Sequence, residues 1–429
     1  MISEQQQHTD KKAIFGWVMY DFANSSFTTL IVTFVYATYF TKAIAENPIS
    51  GTVLWGRAIT VTALTVAVLS PLLGRFADKT NRRKQFLFLF TLIAVISSAM
   101  LYRPLPGEVL KALIWFTIGN IAFEMGMVFY NSFLPDIATR ETTGRLSGLG
   151  WGVGYFGGLA AMIIAMVCFV NPDIPWFGLA KASGQNIRAT NILVALWFAL
   201  FSIPFFLFVQ ESKHPKQRRI NAPNFFAKIK QTIADLTVFP QTIKFLLARL
   251  IYNDGLITIF AFGGIYAAGT FNFSFQEIMA FGITLNIAAG IGALVFGVID
   301  DRVGSRTTIF FSLFGLIVAA LLALLTTNRV LFWTAGILIG IFSGPNQSAS
   351  RSLMAKFTPH SKESEFFGFF ALSGKFTAFL GPIFLSITTD FFNSQRAGMT
   401  VVLLFFIGGA LLLGKVDEKK GIQAAIETK

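Results

Sequence analysis

Cysteine, histidine and charge are the scarce components of this chain. Its 429 residues include one cysteine, Cys168, and three histidines, His8, His214 and His360. A single cysteine inside an apolar run leaves no disulfide framework and no cysteine-based metal site. The histidines fall in tails or loops without a partner pattern, so neither a metal centre nor a catalytic triad is expected. No Walker sequence is present, which excludes ATP as the energy source, and no cofactor is implied. Charged residues make up 13%, against roughly 25% in soluble proteins. No enzyme constellation survives this inventory.

Apolar sequence fills the gap. Hydrophobic residues account for 54%, and continuous apolar runs of about 20 residues recur, long enough to cross a bilayer core of about 30 Å as helices. Twelve spans are predicted: 14–41, 53–76, 86–103, 109–133, 146–170, 189–209, 243–270, 276–299, 307–326, 330–350, 365–387 and 397–414. The runs do not alternate, which excludes the strands of a membrane β-barrel. The chain reads as an all-α, polytopic membrane protein. The 49 phenylalanines read as lipid-facing filler. The first apolar run is too long for a signal-peptide core and is expected to stay as an uncleaved span that doubles as insertion signal.

The net charge of +13 is distributed by topology. One side receives Lys11, Lys12, the Arg75–Lys84 cluster, Arg140, Arg145, the Lys213–Lys244 segment, Arg302, Arg306, Arg351, Lys356, Lys362 and the tail from Lys415. The other side holds Lys42, Arg57, Arg103, Lys111, Lys181, Arg188, Arg329 and Arg396. This positive-inside bias predicts both termini in the cytoplasm. With no folded basic domain, nucleic acid is not an expected partner.

An internal repeat organises the spans. GRFADKTNRRK (Gly74 to Lys84) and GVIDDRVGSR (Gly297 to Arg306) both end an apolar run, and Gly74, Asp78 and Arg83 answer to Gly297, Asp301 and Arg306. The offset of roughly 223 residues predicts two similar halves, and parallel halves suggest a transporter with its site between them. The expected division is a tail over 1–13, an N-terminal six-helix half over 14–210, a linker over 211–242, a C-terminal half over 243–414 and a tail over 415–429. Within the linker, Phe225, Phe226, Ile229, Ile233 and Leu236 fall near helical spacing. That pattern fits a helix on the membrane surface, with a solvated linker as the alternative.

Six spans plus six, with Gly-x-x-x-Asp and arginines after the second and eighth, resembles the major facilitator superfamily of secondary transporters. Four strings narrow the resemblance: MYDFANSSF (Met19 to Phe27), FYNSFLPDIA (Phe129 to Ala138), GRLSGLGWGVGYFGG (Gly144 to Gly158), and GPNQSASRSLMAKFTPHSKESEFFGFFALSGK (Gly344 to Lys375). Together they are similar to the vacuole-effluxer branch, which contains a fungal vacuolar amino-acid exporter and bacterial homologues. The resemblance implies twelve transmembrane helices in two pseudo-symmetric six-helix halves and, for a bacterial-type member, residence in the cytoplasmic membrane. A monomer is expected. The chain departs from the superfamily at Asn81, where glycine is usual, so asparagine must make the turn with positive φ. Tyr155 likewise replaces the proline of the span-5 exporter motif.

The loop motif has a physical task. Asp78 can approach the N-terminus of span 11, whose free N–H groups and dipole favour an anion. Asp301 can do the same at span 5, near Thr142 and Thr143. Gly74, Asp78, Arg82, Arg83, Gly297, Asp301 and Arg306 are therefore predicted to form a gate that latches the cytoplasmic side; the alternative is that the loops only carry topology-setting arginines. The Gly-x-Gly-x-x-Gly within GVGYFGG (Gly152 to Gly158) follows no strand, which excludes a dinucleotide site. Its glycines serve close helix packing.

Ionisable residues within spans are the sharpest site evidence. Asp21, Glu124, Arg249, Asp254 and Lys375 each cost ~2.5–3.5 kcal/mol at the membrane centre and must be paired or face water. Asn24, Asn120, Asn131, Asn253, Asn286, Asn346 and Gln347 accompany them. In the resembled fold spans 1, 4, 7 and 10 line the cavity. Two readings of Glu124 and Lys375 stand: facing sites for the ammonium and carboxylate of a zwitterion, or a structural bridge, with Asp254 as the other partner for Lys375. Asp21 reads as a near-interface or gate residue, and Asp254, beside Gly255, as sitting where span 7 is able to bend. Arg249 is expected to snorkel and Arg351 to lie at the inner mouth. The expected function is export or exchange of an amino acid, coupled to protons, with Glu124 first and Asp254 second as carrier. A proton-coupled exporter of amphipathic drugs and a non-transporting receptor on the same fold are the alternatives.

Overall fold

The computed structural model describes residues 10–212, 234, 236–378 and 380–427. The predicted surface helix of the linker lies almost wholly outside the described residues. Twelve long helices cross in sequence: α1 (Lys11–Ile44), α2 (Pro48–Thr80), α3 (Arg83–Met100), α4 (Val109–Asn131), α5 (Thr143–Val170), α6 (Gln185–Phe208), α7 (Pro240–Phe271), α8 (Phe275–Val303), α9 (Ser305–Leu325), α10 (Arg329–Phe357), α11 (Glu363–Phe392) and α12 (Gln395–Leu413). Eleven of them, all but α10, carry enough continuous apolar sequence to span a membrane on that criterion. Helix α10 is diluted by its buried Asn346, Arg351, Lys356 and serines. These side chains face protein and not lipid.

Local chemistry fixes the helix ends. Asn81 ends α2 in the left-handed conformation, φ 51°, as the sequence required, and Gly304 (φ 91°) makes the equivalent turn after α8. Ser274 and Glu277 form a reciprocal capping box at the start of α8. A thirteenth helix, α13 (Glu418–Glu427), follows the last span. Asp417 precedes it and accepts the Lys420 N–H at 3.1 Å, which holds its carboxyl below the usual range.

Two departures from regular helix bear on function. Helix α1 widens to π geometry over Phe27–Phe34 and again over Phe40–Ile44, an irregularity frequent at functional sites. Helix α11 is made of Glu363–Lys375 and Leu380–Phe392, with turns over 376–378 between them. Helix α7, by contrast, runs unbroken past Asp254. The interruption is in α11 instead.

The halves meet through small residues. On α5, a Cβ at Gly157 would collide with the Phe22 carbonyl of α1, and one at Gly148 with the Ala293 carbonyl of α8. The glycine-rich string thus brings α1 and α8 to either face of α5. Many phenylalanines do face outward, as Phe88, Phe314 and Phe391 do. Filler is not their whole role, however, because four others line the cavity described next.

Candidate functional site

Twelve helices running alternately up and down bring the start of α1 and the end of α12 to the same end of the bundle, the terminal side, and there the repeated motif joins the halves. Asp78, in the last turn of α2, accepts the backbone N–H groups of Ser364 at 3.0 Å and Glu365 at 2.8 Å. These belong to the first turn of α11, where amides lack intrahelical acceptors and the dipole favours an anion. Asp301, near the end of α8, takes the Gly144 N–H at 2.8 Å and Arg145 Nε at 2.9 Å at the start of α5. The motif glycines allow this approach. A Cβ at Gly74 would collide with the Ser364 carbonyl, and one at Gly297 would stand 2.9 Å from the Gly148 Cα. The second span of each half is thereby joined to the fifth span of the other.

The motif arginines divide in role. Arg83 is buried, bonds Asp136 at 2.7 Å and lies 3.6 Å from Glu211 and 3.7 Å from Glu363. Arg306 donates to the carbonyls of Leu413 at 3.3 Å and Gly414 at 3.0 Å. Arg82 is exposed at the head of α3. Two glutamates that sequence reading missed complete the pattern. Glu211 accepts the N–H groups of Arg83 (2.7 Å) and Lys84 (3.3 Å), and Glu418 those of Ser305 (3.1 Å) and Arg306 (2.9 Å). Each caps the third helix of its own half from just beyond the sixth. The signal was a second repeat, Val209-Gln-Glu211-Ser-Lys213 against Val416-Asp-Glu418-Lys-Lys420.

Deeper in the seam, Arg351 of α10 crosses to the other half. Its Nη1 meets Asp21 Oδ2 at 2.9 Å and Asn131 Oδ1 at 3.2 Å, while Nε and Nη2 take the Ser147 hydroxyl (2.9 Å) and carbonyl (2.7 Å). The guanidinium lies 4.7 Å from the Trp17 ring, with Tyr130 and Trp151 also around it. Asn24 donates to the other oxygen of Asp21 at 3.4 Å. Gly150 leaves the room, since a Cβ there would be 2.6 Å from Asp21 Oδ2. Arg351 was placed at the inner mouth by sequence; its partner in span 1 was not foreseen.

Glu124 and Lys375 do face each other across the halves, with Nζ 2.6 Å from Oε1. Both side chains are partly exposed, Glu124 by 19% and Lys375 by 32%. Asn120 is buried one turn away on α4. Asn253 donates to the Gly374 carbonyl at 3.1 Å, beside the lysine. Arg249 does not snorkel: it donates to the Phe370 carbonyl (2.6 Å) and Ser373 hydroxyl (2.8 Å), with its guanidinium 3.6 Å from the Phe370 ring. Asp254 is not the partner of Lys375; its Oδ1 accepts the Thr377 hydroxyl at 3.2 Å.

On the side away from the termini lies a cavity of about 400 Å³. Thr28, Thr29, Thr33 and Phe34, from the π stretch of α1, form one wall, with Trp151 and Tyr155 of α5 beside them. Phe260, Phe281, Phe332, Asn286 and Gln347 come from the other half. Gln347 donates to Tyr155 at 3.0 Å, so the tyrosine in place of proline carries an inter-half bond. Asn346 faces away, bonded to Ser312 at 2.9 Å. Counting 1.5 Å per residue, Gln347 stands roughly 6 Å beyond the Arg351 level and Glu124 roughly 10 Å beyond Asn131. By this count the Glu124–Lys375 pair and Gln347 both lie beyond the Arg351 cluster, but among the described residues neither Glu124 nor Lys375, and no other residue of α4 or α11, lines the cavity.

Residues 46–426 match the family described as vacuole effluxer Atg22 like. An uncharacterized MFS-type transporter of Bacillus subtilis, YxiO, is 26% identical over 94% of this chain and 94% of its own length. Autophagy-related protein 22 of Cryptococcus neoformans is 24% identical over 67% of this chain, which spans only 55% of that longer relative. Among solved structures, the proton:xylose symporter XylE superposes with a TM-score of 0.76 over 96% of both chains at 14% identity. The human organic anion transporter MFSD10 gives 0.73 over 94% of this chain and 98% of its own, again at 14% identity. These superpositions establish the twelve-helix, multi-pass membrane fold.

Proposed function

We propose that this chain, which belongs to the vacuole effluxer Atg22-like family of major facilitator transporters, exports or exchanges a neutral amino acid across the cytoplasmic membrane. The observation that carries this reading is the Glu124–Lys375 pair, partly exposed and joining the two halves. A zwitterion can replace each partner of that pair with its own opposite charge, its carboxylate on Lys375 and its ammonium on Glu124. Neither charge is then left alone when the bridge opens, a situation that is unfavourable even for partly exposed groups. An apolar side chain fits the aromatic and hydroxyl-lined cavity. Binding thus weakens one of the bonds holding the halves together, and the latches at Asp78 and Asp301 break as the terminal, cytoplasmic side opens. The protein works as a monomer in this scheme.

An ion gradient drives accumulation, with the proton as the simplest coupling ion. Asp254 is better placed than Glu124 to carry it. The Glu124 carboxylate is already held by an ammonium, whereas Asp254 has no cationic partner among the described residues. A second reading, export of amphipathic molecules, is favoured by one observation: Phe34, Phe260, Phe281 and Phe332 line the cavity and, among the described residues, no charged side chain does.

Counterflow in proteoliposomes separates the two. Vesicles preloaded with each common amino acid should accumulate labelled leucine or phenylalanine, and Lys375→Ala should abolish this. Accumulation of a lipophilic dye with no amino-acid counterflow would overturn the first reading in favour of the second.

A further inference from the structure

Asp254 sits in α7 against the interruption of α11. It is 1% exposed, and Thr258, one turn along the same helix, is fully buried. The Asp254 Oδ2 and the Thr258 hydroxyl have no hydrogen-bond partner among the described residues. Thr377, in the turn that breaks α11, donates to Asp254 Oδ1 at 3.2 Å and approaches the Leu250 carbonyl at 3.4 Å. At the break the helical ladder gives way to tighter turns, Ala378 N–H to the Lys375 carbonyl (3.4 Å) and Leu380 N–H to the Thr377 carbonyl (2.7 Å). Gly381 then lets the second segment close on Thr258, since any Cβ there would collide with the hydroxyl.

A buried carboxylate without a cation is costly. The two nearby cations are engaged elsewhere, Lys375 with Glu124 and Arg249 with Phe370 and Ser373. A proton on Asp254 Oδ2 would remove the charge but would itself find no acceptor, and Thr258 would stay unpartnered. One hard cation shared by these oxygens satisfies both. The candidate ligand set is all oxygen, the Asp254 carboxylate and the Thr258 and Thr377 hydroxyls beside the break in α11, chemistry suited to an alkali cation. A single carboxylate balances one positive charge, which disfavours calcium or magnesium.

We propose that Asp254, Thr258 and Thr377, at the break in α11, form a sodium-binding site. This rests on the reading above that Asp254 is the coupling group, and adds the identity of the ion. Because Thr377 belongs to the turn that follows Lys375, occupancy of the site sets the geometry of the lysine and so links ion and substrate.

The test uses the full-length protein in detergent, titrated with NaCl against choline chloride at constant ionic strength and fixed pH, with KCl as a second control. Thermal unfolding and intrinsic tryptophan fluorescence are read together. Sodium should raise Tm in a saturable manner that potassium does not reproduce. Thr258→Val and Thr377→Val should shift the sodium midpoint up by about tenfold, the loss of one oxygen contact to a charge. Asp254→Asn should abolish the response. The two threonine variants keep the test decisive if Asp254→Asn fails to fold. No sodium-specific response in the wild-type protein, or an unaltered midpoint in both threonine variants, overturns the site. Proteoliposome counterflow run in choline separates the two proposals: amino-acid exchange driven by pH alone, with no sodium response, removes sodium and leaves the proposed function standing. Absence of amino-acid transport under either gradient removes that function instead.

Discussion

The two latches are alike in design and unequal in strength, and Asp78→Asn measures the difference. Asp78 is 7% exposed and receives two backbone N–H groups. Hydrogen bonds to a charged group contribute about 1.5–3 kcal/mol each, so the pair supplies roughly 3–6 kcal/mol of the preference for terminal-side closure. Asparagine keeps one acceptor and turns an NH2 toward a backbone donor, which loses at least one bond and sets donor against donor. Asp301 has a single backbone bond plus Arg145, whose side chain is 61% exposed. An ion pair so exposed adds only about 0–1 kcal/mol. Asp78→Asn should therefore move the equilibrium toward terminal-side opening about tenfold or more beyond Asp301→Asn, 1.4 kcal/mol being a factor of ten.

The reporter is Ser132→Cys in a Cys168→Ala background. Ser132 is buried and meets Ser364 at 3.2 Å, directly in the closed seam. Its rate of modification by a membrane-impermeant thiol reagent, added from the terminal side, should rise in both variants and more steeply for Asp78→Asn, with Tm nearly unchanged. Equal rates in both variants and the parent, or the larger effect at Asp301, would refute the assignment of the backbone N–H groups as the source of closure.

Other substitutions test the remaining contacts. Lys375→Ala should lower Tm in detergent and Lys375→Ala with Glu124→Ala should recover it, the single loss falling below the ~3–5 kcal/mol of a fully buried pair because both groups are partly exposed. Arg351→Lys cannot reproduce the fork to Asp21 and Ser147 or the stacking on Trp17, and should cost about 3 kcal/mol in unfolding free energy, measured by urea or thermal unfolding, and abolish counterflow. Gly74→Ala should separate α2 from α11 and raise Ser132→Cys modification much as Asp78→Asn does, with no change of charge.

What the sequence disclosed was whatever repeats or stands out from its surroundings. A Gly-x-x-x-Asp found twice led to Asp78 and α11 because helix amides have a fixed appetite for anions, independent of the rest of the packing. Glu124 and Lys375 were legible as partners because charges isolated in apolar spans have few choices. Arg351 was harder to read: at the polar end of α10 it looked like one more topology-setting cation, and only packing of four helices reveals the Trp17–Tyr130–Trp151 enclosure. The break in α11 was legible and was missed. Gly374 precedes residues 376–378 and Gly381–Pro382 follows them, and Pro382, having no N–H, cannot bond back to the Ala378 carbonyl and continue the helical ladder. The cavity phenylalanines were hidden by their own abundance, since nothing in composition separates those facing lipid from those facing the cavity.

Glu211 and Glu418 have a consequence for how this chain can be divided. Each half is closed by a residue that comes after its last crossing, so the natural unit is six helices plus a short trailing segment. A truncated chain ending at Gly414 would contain every span and yet leave the first turn of α9 without its cap. A chain cut between residues 213 and 233 would leave both halves with their own glutamate in place. Two fragments expressed together from such a cut should reassemble, while removal of the last dozen residues should not be tolerated.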